Sequence, residues 1–387
     1  MTSDAATNVE RPLGAAAPRG TRHIAAPWRA LRRVGPLGLI GLALLVVIVG
    51  ACVLSTPYTF GSDGIGPRYD SQVKEARLLP PWWARHSEQE QRTLHAAGAW
   101  LATQAEATRR GGGLRAEELR DSGFVPDEAS ASAARPRYWI GADLLGRDLL
   151  VRCLAGGTIS LGIGLAAAMI SVLIGTAYGA TAGWLGGRID GVMMRIVDVL
   201  YGLPYVLLVV LLAVAVDAVV DRHVAASAVG VGGGMLSEGT RNMIGIGTLL
   251  VAIGGVSWLT MARVVRGQVL SLRSRPFIEA ARAIGVPGPR LFFRHLLPNL
   301  AGPIVVYATL TVPQAILQES FLSFLGIGVR APMPSWGNLT AEGLSVLNPI
   351  EVRWWLLLFP CLLLAATLIA LNFVGEALRE RLDPRGR

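Results

Sequence analysis

Few residues in this 387-residue chain have the types and spacing that covalent chemistry needs. Its five histidines are scattered and form no H-E-x-x-H metal pair. No nucleophile elbow or catalytic dyad is present. The single lysine, Lys74, lies in SQVKEAR. A phosphate-cradling loop requires glycines before its lysine and a hydroxyl residue after it, and Lys74 has neither. The expectation is therefore a chain with no catalytic residue, no metal site and no bound cofactor. If ATP drives it, another subunit binds the ATP. Cys52, Cys153 and Cys361 lack paired or ligand spacing and read as small buried hydrophobes. The remaining candidates are polar groups in apolar surroundings. Gln314, Gln318 and Glu319 follow i, i+4, i+5 spacing. An ionisable residue within a membrane span is a functional candidate, so the three are candidates to line a pathway. Glu319, near the external end of its span, is better suited to a structural pairing.

The elements that must position these groups are apolar helices. The chain is 52% hydrophobic with a mean hydropathy of +0.47. Several stretches exceed the roughly 18 apolar residues that cross a bilayer. This is read as an all-α polytopic membrane protein in contact with lipid. Its net charge of +9 comes from arginines in loops and tails placed by the positive-inside rule, and not from nucleic-acid binding. Residues 1–33 read as a cytoplasmic tail ending in the basic PWRALRR, Pro27 to Arg33, suited to the headgroup layer. Six spans are expected at 34–55, 158–184, 191–216, 244–264, 300–321 and 354–373, the first retained and not cleaved. Residues 56–157, 217–243 and 322–353 are then external, and 265–299 and 374–387 cytoplasmic. Both termini fall on the cytoplasmic side of a cell membrane.

Within the external segment Thr56 to Tyr138, Ser87 to Glu90 forms a capping box. The helix it opens carries Leu94, Ala97, Leu101 and Ala105 on one face and ends at Gly111 to Gly113. That face must be buried against the segment itself or a partner. In the second span Ser171, Gly175, Gly179 and Gly183 recur every fourth residue, a smooth stripe for close helix packing and a candidate sliding surface. Arg195 and Asp198 sit at i, i+3 and can neutralise each other, and Pro204 should kink the third span.

The cytoplasmic loop contains FIEAARAIGVPGPRLFFRHLLPN, Phe277 to Asn299. Five arginines (Arg273, Arg275, Arg282, Arg290 and Arg294) face one acid, Glu279. Phe277 to Ile284 spans two helical turns, with Phe277, Ala281 and Ile284 on one face and Glu279 and Arg282 on the other. Gly285 is placed to cap the helix and Pro287 to stop it. A second short helix, Arg290 to Leu297, is expected to stop at Pro298. Two short helices around a rigid turn either lie on the lipid or form a knob for a partner.

Residue identity bears on that choice. Glu279-Ala280-Ala281, Gly285 and the trailing Leu297-Pro298 resemble the EAA loop of ABC importer permeases. The resemblance extends to GADLLGRD (Gly141 to Asp148), ESFLSFLGIGVRAPMPSWGN (Glu319 to Asn338) and NFVGEALRERLDPR (Asn372 to Arg385). These are similar to elements of the C-type permease of the dipeptide, oligopeptide and nickel importers. Ala142 stands where that family usually has threonine, and Glu376 where it has aspartate. The segment Thr56 to Tyr138 and the loop Asp217 to Met243 are longer than the family leads one to expect.

The resemblance implies a subunit that forms a translocation pathway with a second permease. It also implies two cytoplasmic ATP-binding subunits, which use the ATP, and an external solute-binding protein. Glu279, Ala280, Ala281, Gly285, Leu297 and Pro298 would couple to the ATPases. Gly141, Asp143, Gly146, Arg147 and Asp148 would either cap a helix and form ion pairs or meet the delivered solute. The competing class, an ion- or proton-coupled carrier, usually shows internal repeats and interrupted helices at the midplane. No such repeat is visible here, and a membrane-embedded enzyme would need clustered catalytic residues.

Overall fold

The computed structural model describes residues 35–62, 66–110, 116–230, 238–348 and 351–382. The expected basic stretch Pro27 to Arg33, the glycines Gly111 to Gly113 and the last residues of the C-terminal motif lie outside them. Among the described residues the fold is all-α, with no strand beyond the isolated bridges Ser62–Pro67 and Ala142–Asp148. The helices are α1 (Pro36–Thr59), α2 (Glu88–Arg109), α3 (Ala116–Asp121), α4 (Glu128–Ala133), α5 (Leu149–Leu185), α6 (Gly187–Tyr201), α7 (Tyr205–Gly230), α8 (Glu238–Arg273), α9 (Pro276–Ala283), α10 (Gly288–Leu291), α11 (Leu297–Phe324), α12 (Trp336–Ser345) and α13 (Trp355–Leu382). Five are long and apolar enough to cross a membrane alone, and the bent pair α6–α7 makes up to six.

The spine is α5. Its 37 residues make it about 55 Å long at 1.5 Å per residue, more than a hydrocarbon core of about 30 Å requires. Both ends therefore project, one carrying GADLLGRD and the other Trp184. The small-residue stripe is fully buried against α8. A Cβ on Gly179 would stand 2.3 Å from the Ala262 carbonyl oxygen, and one on Gly183 2.8 Å from Val269 Cβ. Larger residues would push the two backbones apart.

Pro204 does more than kink the third span. With no backbone N–H to give, it sits in a break between α6 and α7, whose axes differ by 92°. The expected Arg195–Asp198 pair does not form. Asp198 instead pairs with Arg263 at 2.8 Å, and Asp190 holds Arg266 through two hydrogen bonds of 2.5 and 2.6 Å. These bonds fasten α6 along the end of α8.

The segment between α1 and α5 builds its own small core from Val73, Ala76, Leu79, Ala97, Tyr138 and Ala142. The capping box forms as expected: Ser87 Oγ accepts from Glu90 N (3.3 Å), and Glu90 Oε2 accepts from Ser87 N (2.7 Å). The inward face of α2 holds Ala97, with Leu94 and Leu101 partly buried, while Ala105 is exposed. The face is thus buried against the same segment. Farther along α2, Ala102, Thr103 and Ala107 take the buried positions, and α4 crosses at Gly98, where a Cβ would sit 2.2 Å from Ala131 O.

A candidate coupling elbow and the sites around it

Arg275 caps the start of α9 in extended backbone, and Pro276 opens the helix where its missing N–H costs nothing. Ile278 and Ala281 turn inward against Leu291, with Trp184 and Val286 packed around them. The expected stripe of Phe277, Ala281 and Ile284 is therefore only partly the buried one. Phe277 is 43% exposed and Ile284 81% exposed. Position decides this: Ile278, not Phe277, belongs to the cluster on which Trp184 packs. Ala280 and Glu279 also face outward. The Glu279 side chain has no hydrogen-bond or ion-pair partner among the described residues, and Arg282 lies over the Trp184 ring at 5.8 Å.

The turn after α9 is a complete Schellman motif. Gly285 has φ +82°. Its N–H bonds to Arg282 O at 2.9 Å, and Val286 N–H to Ala281 O at 3.1 Å. The left-handed residue is the one only glycine adopts without cost.

Pro298 does not stop the second helix; it starts the span. Residues Gly288–Phe324 run on as one helix without a break. A π-turn, Phe292–Leu296, precedes α11, and Leu297 N–H bonds back to Phe292 O. The widened turn accommodates a proline with no N–H of its own. Leu297 is half-buried and Pro298 exposed.

Trp184 is the residue that sequence reasoning passed over. Its ring meets Phe292 at 5.5 Å and has Arg273 and Arg282 within 5.9 Å. Arg273 also donates to Gly183 O at 2.7 Å. The elbow is thereby clamped to the end of α5. A tryptophan ending a span beside an arginine-rich loop was the available signal.

At the opposite end, GADLLGRD folds around Asp143. This carboxylate accepts from Leu145 N (2.8 Å), Arg147 N (2.9 Å), Arg147 Nε (2.7 Å) and Arg152 Nη1 (2.6 Å). Arg147 reaches Asp70 at 3.0 Å, and Arg152 reaches Glu342 at 3.0 Å. Three acids and two arginines thus join the segment before α5, α5 itself and α12. Asp70, Arg152 and Glu342 are too distant in sequence for spacing to reveal them. Gly141 and Gly146 take positive φ (+96° and +74°), and a Cβ on Gly146 would overlap Val73 O at 1.8 Å. Asp148 caps α5, accepting from Leu150 N at 2.8 Å and Val151 N at 3.4 Å. Burial pushes its carboxyl up, and those two bonds oppose the shift. Burial likewise raises the Tyr138 hydroxyl, helped by the Asp148 and Asp143 charges.

The three polar residues of α11 do not share a face. Glu319 is fully buried and accepts from Ser323 Oγ (2.7 Å) and Ser320 Oγ (3.3 Å). Gln318 accepts from Tyr205 Oη (2.5 Å) and lies 3.3 Å from Ser257 Oγ. Gln314 is exposed, beside exposed Leu317 and Phe321. Among the described residues no cluster of His, Cys, Asp and Glu is arranged to hold a metal ion.

Comparison with known proteins bears on what such an elbow serves. Residues 159–387 match the family of binding-protein-dependent transport system inner membrane components. The oligopeptide transport system permease protein OppC of Escherichia coli (strain K12) is 44% identical over 259 residues, covering 67% of this chain and 76% of the relative. OppC of Bacillus subtilis (strain 168) is 40% identical over 250 residues, covering 65% and 72%. The dipeptide transport system permease protein DppC of the same organism is 42% identical over 250 residues, covering 65% and 69%.

Proposed function

The chain belongs to the family of binding-protein-dependent transport system inner membrane components, and on that premise we propose that it is the permease subunit of an ATP-driven peptide importer. It forms a pathway with a second permease, receives di- or oligopeptides from an external binding protein, and is driven by two cytoplasmic ATPases. It binds no nucleotide itself. Both termini and the elbow lie on the cytoplasmic face of the cell membrane.

One observation carries this: the elbow is rigid behind and open in front. Behind, the Schellman turn, the Trp184 clamp and the π-turn fix it to α5 and α11. In front, Glu279, Phe277 and Ile284 are exposed, presenting an acid and an apolar tip to a partner's groove. Pushing such a knob moves α11 with it, because the elbow runs into α11 without a break in the helix. Gln314, exposed on α11, is the candidate to meet solute; Glu319 is buried and bonded to Ser320 and Ser323 of the same helix. Asp143 and Arg147 fix the external segment to the spans.

The test is uptake of labelled peptide into proteoliposomes holding this chain with its companion subunits and binding protein. Uptake that needs ATP hydrolysis, and is lost with Gly285→Pro while the chain still inserts, supports coupling through the elbow. Uptake driven by a proton gradient with no ATPase present would establish the carrier alternative.

A further inference from the structure

Upstream of the family match, which begins at residue 159, the segment between α1 and α5 exposes three tryptophans beside a fourth just ahead of α13. Trp82, Trp83 and Trp139 are 50%, 55% and 60% exposed, and Trp354 is 37% exposed. Their rings form two contacts: Trp82 meets Trp139 at 5.7 Å and Trp83 meets Trp354 at 6.1 Å. Trp83 Nε1 donates to Trp139 O at 2.8 Å and joins the two pairs. Large indoles exposed together on a water-facing surface would leave apolar area unburied, so a cover is expected.

The fourth indole shows what the cover is. Trp354 immediately precedes α13, whose apolar run begins at Trp355 and contains no charged residue before Glu376. The hydrocarbon therefore starts at about residue 355, and the Arg353–Glu351 ion pair stands just outside it. Trp354 sits at the membrane–water boundary, where indoles concentrate because one end is apolar and the other can hydrogen-bond. Trp83, in contact with Trp354, lies at the same depth. Arg85, Arg135 and Arg137 flank the cluster in sequence, and basic side chains suit the phosphate layer beside such rings.

From this we infer that the loop Pro80 to Ala84, together with Trp139, is seated in the headgroup layer of the leaflet opposite the elbow. The small helical unit α2–α4 is thereby held against the bilayer. The partner surface is the phospholipid glycerol–headgroup boundary, not a protein. The inference rests on the membrane reading of α13 alone, so it stands or falls independently of the ATPase coupling.

Depth measurement tests it. A spin label is attached through Trp83→Cys, and separately through Trp82→Cys, in the full importer in phospholipid nanodiscs, on a Cys361→Ser background; Cys52 and Cys153 are buried. Arg109→Cys, at the solvent-exposed end of α2, is the aqueous reference. At positions 82 and 83, collisions with dissolved oxygen should exceed those with a water-soluble nickel chelate, reversing the order at 109. Headgroup-brominated lipid should quench wild-type tryptophan fluorescence more than it quenches the Trp82→Ser/Trp83→Ser variant. Nickel access at 82 and 83 equal to that at 109 would overturn the inference. So would access that falls only when the binding protein is added, which would make the surface a protein dock.

Discussion

Trp184, at the end of α5, packs against Phe292 in the π-turn with ring centroids 5.5 Å apart and planes inclined at 58°. The contact joins α5 to the helix Gly288–Phe324 through the elbow between them. On the proposed coupling role, a force on α9 would reach both helices. Trp184→Ala should insert and still bind the ATPase subunits, because the exposed tip is untouched, yet transport less peptide per ATP hydrolysed. Aromatic pairs contribute roughly 0.5–1.5 kcal/mol beyond area burial, so Trp184→Phe should recover part of the loss. Parallel uptake and ATPase assays measure the ratio.

At Gly285 the effect of substitution comes from the backbone alone, since a Cβ there would meet nothing within 4 Å. Gly285→Ala should cost about 1–2 kcal/mol at the turn and weaken ATPase association. Gly285→Pro should be worse, because it also removes the N–H bonded to Arg282 O. Co-purification of the ATPase subunits with each variant gives the order glycine, alanine, proline.

The stripe on α5 makes the opposite case, in which space decides. Gly179→Val would press a side chain into the Ala262 backbone, and overpacking of this kind costs about 1–3 kcal/mol. Gly162→Ala, with nothing within 4 Å, should be neutral. Thermal unfolding in detergent separates them, and equal stability of the two would contradict the tight α5–α8 seam.

Arg152 is 1% exposed and depends on Asp143 and Glu342 for charge compensation. Removing one partner of a buried pair costs about 3–5 kcal/mol. Asp143→Ala should therefore lower the unfolding temperature sharply and free the external segment, detectable as faster proteolysis between α2 and α5. Asp127→Ala, at an exposed cap of α4, should not do so.

Much of this was legible locally. The capping box at Ser87, the glycine stop at Gly285 and the four-residue stripe each depend on neighbours within a turn or two, and each formed as its sequence implies. Long-range choices were not legible. Asp198 had a candidate partner three residues away in Arg195, yet Arg263 on another helix takes it. In an eight-residue helix such as α9, the apolar positions alone do not fix the inward face, and Trp184 from α5 decides it. Pro298 read as a stop because a proline normally breaks a helix; a π-turn just before it removes the conflict. The six-span count came from hydropathy, which cannot register the 92° turn at Pro204.

The most direct measurement places a photo-crosslinking amino acid at position 284, where the native isoleucine is 81% exposed at the tip of the elbow. In the assembled importer, illumination should yield an adduct with the cytoplasmic ATPase subunit, abolished when that subunit is omitted. Adducts with lipid alone, in a complex that still transports peptide, would show the elbow lying on the membrane and contradict its role as the coupling joint.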